Sequence, residues 1–160
     1  MAIDPGGTSG VAMALLNASK AQTTQQLLRR AVRKKAFTVG ELTAKGKNAE
    51  TRQAEKLYDE WVKFKFVANV EKGIPLPYIY LVVEDFQLRQ RSVDLSPVKI
   101  TWGLLSLIPE DEMLMQQPSE AKSYATNERL RKWGVWTVGK EHGRDAVRHL
   151  ALRASKILSP

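Results

Sequence analysis

The sequence predicts a mixed α/β fold, in which a five-stranded sheet with an antiparallel edge carries helices on both faces. Three observations support this prediction. The chain opens with two short apolar segments separated by Pro-Gly-Gly, residues 49–72 repeat apolar side chains at helical spacing, and residues 78–83 form an unbroken apolar run. The chain has 160 residues, the size of one domain, so we expect a single domain over residues 1–160.

The first two strands are predicted to pair as a hairpin. Residues 2–17 contain an AID segment, a PGGTSG segment and a VAMALLN segment, and the glycines suit a tight turn between strands. Residues 18–48 are polar and basic, and their pattern leaves the structure open. Residues 33–41 are the candidate for a third strand.

Helices and strands then alternate. Residues 49–72 are the clearest helix, because apolar side chains recur three or four positions apart, and Tyr58, Trp61 and Phe64 are expected to be core. Further along the chain we predict, in order, a strand buried on both faces over 78–84, a helix over 96–108, a short strand over 112–117, a broken helix over 119–133 and a closing helix over 143–158. The pattern does not decide whether Trp102, Trp133 and Trp136 belong to the core or to a dimer contact.

The composition restricts the chemistry. Cysteine is absent, which excludes disulfides, zinc ribbons and thiol catalysis, so a metal site must use Asp, Glu or the two histidines. Such ligands suit hard ions, magnesium or manganese. No apolar run is long enough to cross a membrane and no export signal is visible, so we expect a cytoplasmic protein without a membrane partner. The net charge of +8 favours a polyanionic partner.

Acidic residues mark the ends of predicted elements. Asp4 ends the first strand, Glu84 ends the buried run, and His142 and Asp145 lie at the start of the closing helix. Carboxylates delivered by separate elements are what a two-metal site for phosphodiester hydrolysis needs, and no Ser-His-Asp or Cys-His set competes with it.

Each residue also has a simpler interpretation. Asp4 is a common residue before a Pro-Gly turn, and Glu84 is a strand-end acid able to reach solvent. Asp145 lies in a first helical turn, where the macrodipole favours acids, and His142 is a loop histidine. We expect His149 to support a ligand or to lie on the surface.

Four short segments carry a family resemblance. Ile3-Asp4-Pro5-Gly6 with Gly10, Val82-Val83-Glu84, Gln117 to Lys122, and His142 to Val147 resemble, in order and spacing, the motifs of RuvC-like Holliday junction resolvases, most of all their phage versions. His142 stands where many members have Asp. These enzymes have the RNase H-like fold, which agrees with the predicted order of elements.

The resemblance implies an endonuclease that resolves four-way DNA junctions by paired nicks and acts as a homodimer. It implies two Mg²⁺ ions, which Mn²⁺ is able to replace, held by Asp4, Glu84, Asp145 and His142. Lys122 is implied to contact the scissile phosphate. Phe86 follows the second motif, displaced from the family's strand-separating aromatic, and we count it among candidate DNA contacts.

Basic side chains provide further candidate DNA contacts. Arg144 and Arg148 flank the predicted site, and Arg33, Lys34 and Lys35 form a separate basic run. A charge run of this kind is often only a solvated face.

Three other functions compete with junction resolution. The opening segment also resembles the phosphate-binding hairpin of sugar kinases, but that class needs two such domains. A non-catalytic DNA-binding module of the same fold is disfavoured, because unused acids would repel phosphate. A nuclease of the same chemistry that cuts flaps, forks or RNA remains open.

Overall fold

The strands form one mixed sheet, which confirms the predicted fold class. The computed structural model describes residues 1–86 and 94–158. The five strands, in sheet order β3-β2-β1-β4-β5, are β3 (Phe37–Thr43), β2 (Thr8–Ala14), β1 (Ala2–Asp4), β4 (Leu81–Glu84) and β5 (Met113–Gln116). The β1–β2 and β2–β3 pairs are antiparallel, whereas β4 runs parallel to both β1 and β5. The predicted hairpin is therefore β1–β2.

Helices cover both faces of this sheet. They are α1 (Thr24–Arg33), α2 (Ala49–Phe66), α3 (Ser96–Leu107), α4 (Pro118–Tyr124), α5 (Asn127–Trp133) and α6 (Glu141–Leu158). A π-helical turn, Val67–Glu71, extends α2, and short 3₁₀ turns cover Ala18–Lys20, Leu76–Tyr78 and Glu110–Glu112. Across the described residues, no helix is long and apolar enough to cross a bilayer.

Two cores lie on opposite sides of the sheet. Ile3 and Val83 pack beneath α2 and α3, whereas Ala2 and Val82 pack beneath α1, α5 and α6. This alternation is the two-residue period of a strand, and it determines which face each following side chain occupies.

The third strand and the segment before it differ from the sequence prediction. The strand begins at Phe37, not at Arg33, because residues 24–33 form α1. A signal for α1 was present: Leu27, Leu28 and Ala31 are buried at helical spacing, and the Thr23 side chain accepts a hydrogen bond from the Gln26 amide. Because most residues around this short apolar stripe are polar or basic, the helix was not predicted.

The fourth strand is shorter than predicted. It begins at Leu81, because Tyr78 closes a 3₁₀ turn and is exposed. Trp61, on α2, is buried in the core beneath the sheet as expected, and Trp133 belongs to the core on the other face. Trp102, by contrast, is 68% exposed on α3.

Candidate active site

The register of two parallel strands places Asp4 beside Glu84. Ile3 is paired with Val83, so the next residue of each strand ends at the same edge of the sheet, about 4.8 Å from its neighbour. By the strand alternation both side chains lie on the α6 face. Asp4 is only 7% exposed and Glu84 only 8%, so two acids share a buried strand edge.

Close packing of α6 on β2 brings a histidine to this edge. Asp4 is paired with Gly10, and a Cβ at Gly10 would lie 1.9 Å from the backbone oxygen of His142. Only glycine permits this approach. In this close packing, Nδ1 of His142 lies 3.0 Å from Oδ2 of Asp4. The Gly143 amide donates to Oε1 of Glu41 at 3.2 Å, a contact from β3 that the sequence did not predict.

Burial and crowding change the acidity of Asp4. Burial, and after it the negative charge of Glu84, raises the pKa of Asp4 to about 7. The hydrogen bond with His142 lowers the pKa of Asp4 and so opposes this shift, whereas the charge of Asp145 adds to it by a smaller amount. A carboxyl group in this position favours either a proton or a cation.

Glu84 has a buried histidine partner. His149 is 1% exposed, and its Nε2 lies 2.9 Å from Oε2 of Glu84. The other ring nitrogen lies 3.2 Å from Oε1 of Gln116, at the end of β5. His149 therefore supports the position of Glu84, one of the two roles expected for it, and Gln116 is a supporting residue that the sequence did not indicate.

Asp145 forms ion pairs with two basic side chains. Lys122 Nζ lies 3.2 Å from Oδ2, and Arg148 forms a hydrogen bond with Oδ1. Arg148 also donates to the carbonyl of Ala125 at 3.2 Å and to the side chain of Asn127. Within residues 1–86 and 94–158, no three His, Asp or Glu side chains are grouped closely enough to hold an ion without rearrangement.

The turn after Asp4 is held by Gln53, a residue that sequence analysis missed. Its Nε2 donates to the carbonyl of Gly6 and lies 2.7 Å from both that oxygen and Oγ of Ser9, while its Oε1 accepts from the Ala44 amide at 3.0 Å. Gln53 is 1% exposed on a helix otherwise predicted from its apolar stripe. A buried amide within such a stripe was the available signal.

The donor set fits a hard divalent cation in part. Asp4 and Glu84 offer buried carboxylate oxygens at neighbouring strand ends, and crowding of their charges favours a counter-ion. His142 adds an imidazole at the same edge. Asp145 fits only if it exchanges its contacts with Lys122 and Arg148.

A cleft of mixed charge opens beside these residues. It spans about 640 Å³ between α4, α5 and α6, and we call it the α6 cleft; it is lined by Lys122, Thr126, Asn127, Glu128, Glu141, Arg144, Asp145 and Arg148. Arg144 donates to the carbonyl of Thr137 at 2.8 Å and stacks over Trp136, 4.6 Å from the ring centroid. Three of the predicted phosphate contacts therefore line one cleft.

The other candidate DNA contacts lie elsewhere. Arg33 ends α1, and Lys34 and Lys35 precede β3, whose first residue is paired with Ala14. The strand end beside them is thus roughly 14 Å from Gly10, the partner of Asp4, at about 3.4 Å per residue. Phe86 is half-buried just after β4, at the limit of the described segment.

Two solved structures share this fold along nearly the whole chain. The Thermus thermophilus RuvC structure aligns with a TM-score of 0.59 and 14% identity, covering 98% of this chain and 93% of that one. T. thermophilus RuvC in complex with a Holliday junction substrate gives the same score and identity, covering 98% of this chain and 92% of that one. No family model and no curated protein matches the sequence. At this identity the likeness establishes the fold, and it is the fold of the family that the motifs resemble.

Proposed function

We propose that this protein is a metal-dependent endonuclease that cuts branched DNA, with the four-way junction as its main substrate. The observation that carries the proposal is the pair of buried acids, Asp4 and Glu84, at neighbouring strand ends. Buried carboxylates this close are costly unless a cation or a proton binds them. The fold shared with a RuvC bound to a Holliday junction substrate supports the same conclusion.

The proposed metal ligands are Asp4, Glu84, His142 and Asp145, with two Mg²⁺ ions or Mn²⁺ in their place. Bound divalent ions supply an activated water and stabilise the leaving oxygen of a phosphodiester. In this chain Asp4 is placed between His142 and Glu84, and His149 holds Glu84 in orientation. Lys122 is proposed to neutralise charge on the phosphate that is cut.

Symmetric cutting of a junction requires two related sites. We therefore propose a homodimer with two-fold symmetry, in which each copy nicks one strand. The excess of basic residues supports binding to the DNA backbone, since each cation on a phosphate releases condensed counter-ions.

Cleavage of a labelled four-way junction tests the proposal, with linear duplex and a 5′ flap in parallel. The wild-type protein is expected to nick the junction symmetrically in Mg²⁺ and to be inactive in EDTA. Asp4→Asn is expected to lower the rate by at least about 100-fold, because a metal ligand is lost. Binding of the junction without cutting under any of these conditions would show a non-catalytic module instead.

The flap arm separates the remaining alternative. Equal cutting of the flap and the junction would keep the hydrolytic chemistry but assign a broader, fork-like substrate. A strong preference for the junction would support junction resolution as the activity. The shape of the DNA is expected to be recognised by the dimer, whereas the carboxylates act only on the phosphodiester.

A further inference from the structure

The cations of the α6 cleft are held in two different ways. Arg144 is fixed by a backbone carbonyl, by the Trp136 ring and by Glu141, none of which belongs to the proposed metal ligands. Lys122 and Arg148 both contact Asp145, one at each carboxylate oxygen. A single acid therefore neutralises two cations in the protein alone.

Arg148 has two contacts that do not involve Asp145. Its side chain is 13% exposed, and its other contacts are the neutral oxygens of Ala125 and Asn127. We expect these contacts to keep the guanidinium at the cleft when its carboxylate partner is lost, which leaves a partly buried positive charge there.

We propose that the α6 cleft binds the DNA backbone at the cut, and that Asp145, on binding a divalent ion, releases Lys122 to the phosphate that is cut and Arg148 to the phosphate next to it. The inference rests on the proposed function. A phosphate presents the same paired oxygens to a guanidinium as a carboxylate does. Cation binding at Asp145 and DNA binding in the cleft then strengthen each other by the same factor.

Removing the charge of Asp145 imitates this exchange without any metal. We expect Asp145→Asn to bind a four-way junction about tenfold more tightly than the wild type in EDTA, because two cations become available to phosphate. The slope of log affinity against log salt is expected to steepen by about 1 to 2, since each new phosphate contact adds about 0.9. Fluorescence anisotropy over a salt series measures both quantities.

Glu141→Gln is the matched control. Glu141 lines the same cleft and is 87% exposed, but it contacts Arg144 and neither Lys122 nor Arg148. This variant removes one negative charge from the cleft without releasing the two cations. We expect a gain of no more than about twofold and an almost unchanged salt slope.

Double variants identify the cations responsible. The gain from Asp145→Asn is expected to be reduced in an Arg148→Met background and in a Lys122→Met background, and to persist in Arg144→Met. Lys122 is 53% exposed, so its replacement tests the inference even if Arg148→Met fails to fold.

Two results would overturn the inference while leaving the proposed function standing. One is a gain in Asp145→Asn no larger than in Glu141→Gln, and the other is a gain that persists without Arg148 and without Lys122. The proposed function fails separately, if the wild type does not cut the junction in Mg²⁺.

Discussion

Asp4 carries a conflict between folding and the proposed chemistry. Burial and the charge of Glu84 hold its pKa at about 7, so the folded protein binds a proton there more tightly than the unfolded chain does. A metal ligand must be ionised. The arrangement that would favour the proposed cation at Asp4 is therefore unfavourable for the protein without one.

This conflict predicts a pH dependence of stability. The ordinary pKa of Asp4 is 3.8 and the folded value is about 7, so its contribution to stability is complete below pH 4 and is lost as the pH rises to about 7. In EDTA, we expect the free energy of unfolding of the wild type, relative to Asp4→Asn, to fall across this window. Urea unfolding at several pH values measures the difference.

The asparagine variant is the control, since every other titrating group is common to the two proteins. At pH 8 Asp4→Asn is expected to be more stable by at least about 1 kcal/mol. Parallel curves for the two proteins would contradict the raised pKa. Added Mg²⁺ is expected to stabilise the wild type preferentially, since it binds the ionised carboxylate.

His149 is predicted to be structural as well as supportive of the site. His149→Leu leaves the buried Glu84 carboxyl without its partner, so we expect a loss of about 1–3 kcal/mol in the free energy of unfolding. His149→Gln keeps a donor and is expected to recover part of this loss. Urea unfolding distinguishes the two variants.

His142→Ala provides the comparison. His142 is 47% exposed, and its contact with Asp4 is closer to solvent, so we expect a smaller loss of stability than in His149→Leu. Equal losses of stability in His142→Ala and His149→Leu would argue against a special role for the buried pair of His149 and Glu84.

At the scale of elements, the approach of α6 to β2 assembles the site. The backbones meet at Gly10 and Gly143, and this contact holds the first turn of α6 over the strand edge that carries Asp4. A side chain at either glycine would collide with the facing element, at Gly10 with the backbone of His142 and at Gly143 with the side chain of Val39.

Gly10→Ala is predicted to separate the two elements. Its methyl group would overlap the backbone of His142, so α6 must shift, at a cost of about 1–3 kcal/mol in the free energy of unfolding. We also expect loss of junction cleavage, because His142 and Asp145 move with the helix. Urea unfolding and the junction assay measure the two effects.

Gly40→Ala is the matched control on the neighbouring strand. An added Cβ there meets nothing within 4 Å, so stability and cleavage are expected to stay close to wild type. A similar loss in both variants would mean that any alanine in this part of the sheet is harmful, and that the close approach is not the cause.

At the scale of the whole molecule, basic residues lie near both ends of the paired strands β2 and β3. The α6 cleft adjoins the acids, whereas Arg33, Lys34 and Lys35 lie at the far end of β2 and β3. DNA long enough to reach both ends would contact the second group only through its backbone.

Replacing these three residues by glutamine is therefore predicted to weaken binding without slowing the chemistry. We expect junction affinity to fall by about tenfold at low salt and the single-turnover rate at saturating protein to stay within about twofold. Lys122→Gln, beside the acids, is expected to lower that rate instead. A triple variant with unchanged affinity would assign the basic run to a solvated face.

The local patterns of the sequence were sufficient for most of the fold. Apolar period and turn residues predicted the hairpin, α2, α3, β5, the break between α4 and α5, and α6, because each pattern is a property of neighbouring residues. They failed at α1, where a short apolar stripe is surrounded by basic residues, and at the start of β4. The apolar run begins at Tyr78, but only the residues from Leu81 onward pair with the neighbouring strands, so the run was longer than the strand.

The sequence by itself determined which residues stand at the ends of elements, and so it indicated Asp4, Glu84, His142 and Asp145 as the candidate set. Tertiary structure alone decided the contacts among them. Strand register placed Asp4 beside Glu84, helix packing at Gly10 brought His142 to Asp4, and the turn of α6 buried His149 against Glu84. These contacts join residues that are far apart in the chain, so their geometry depends on pairing and packing that no local pattern specifies.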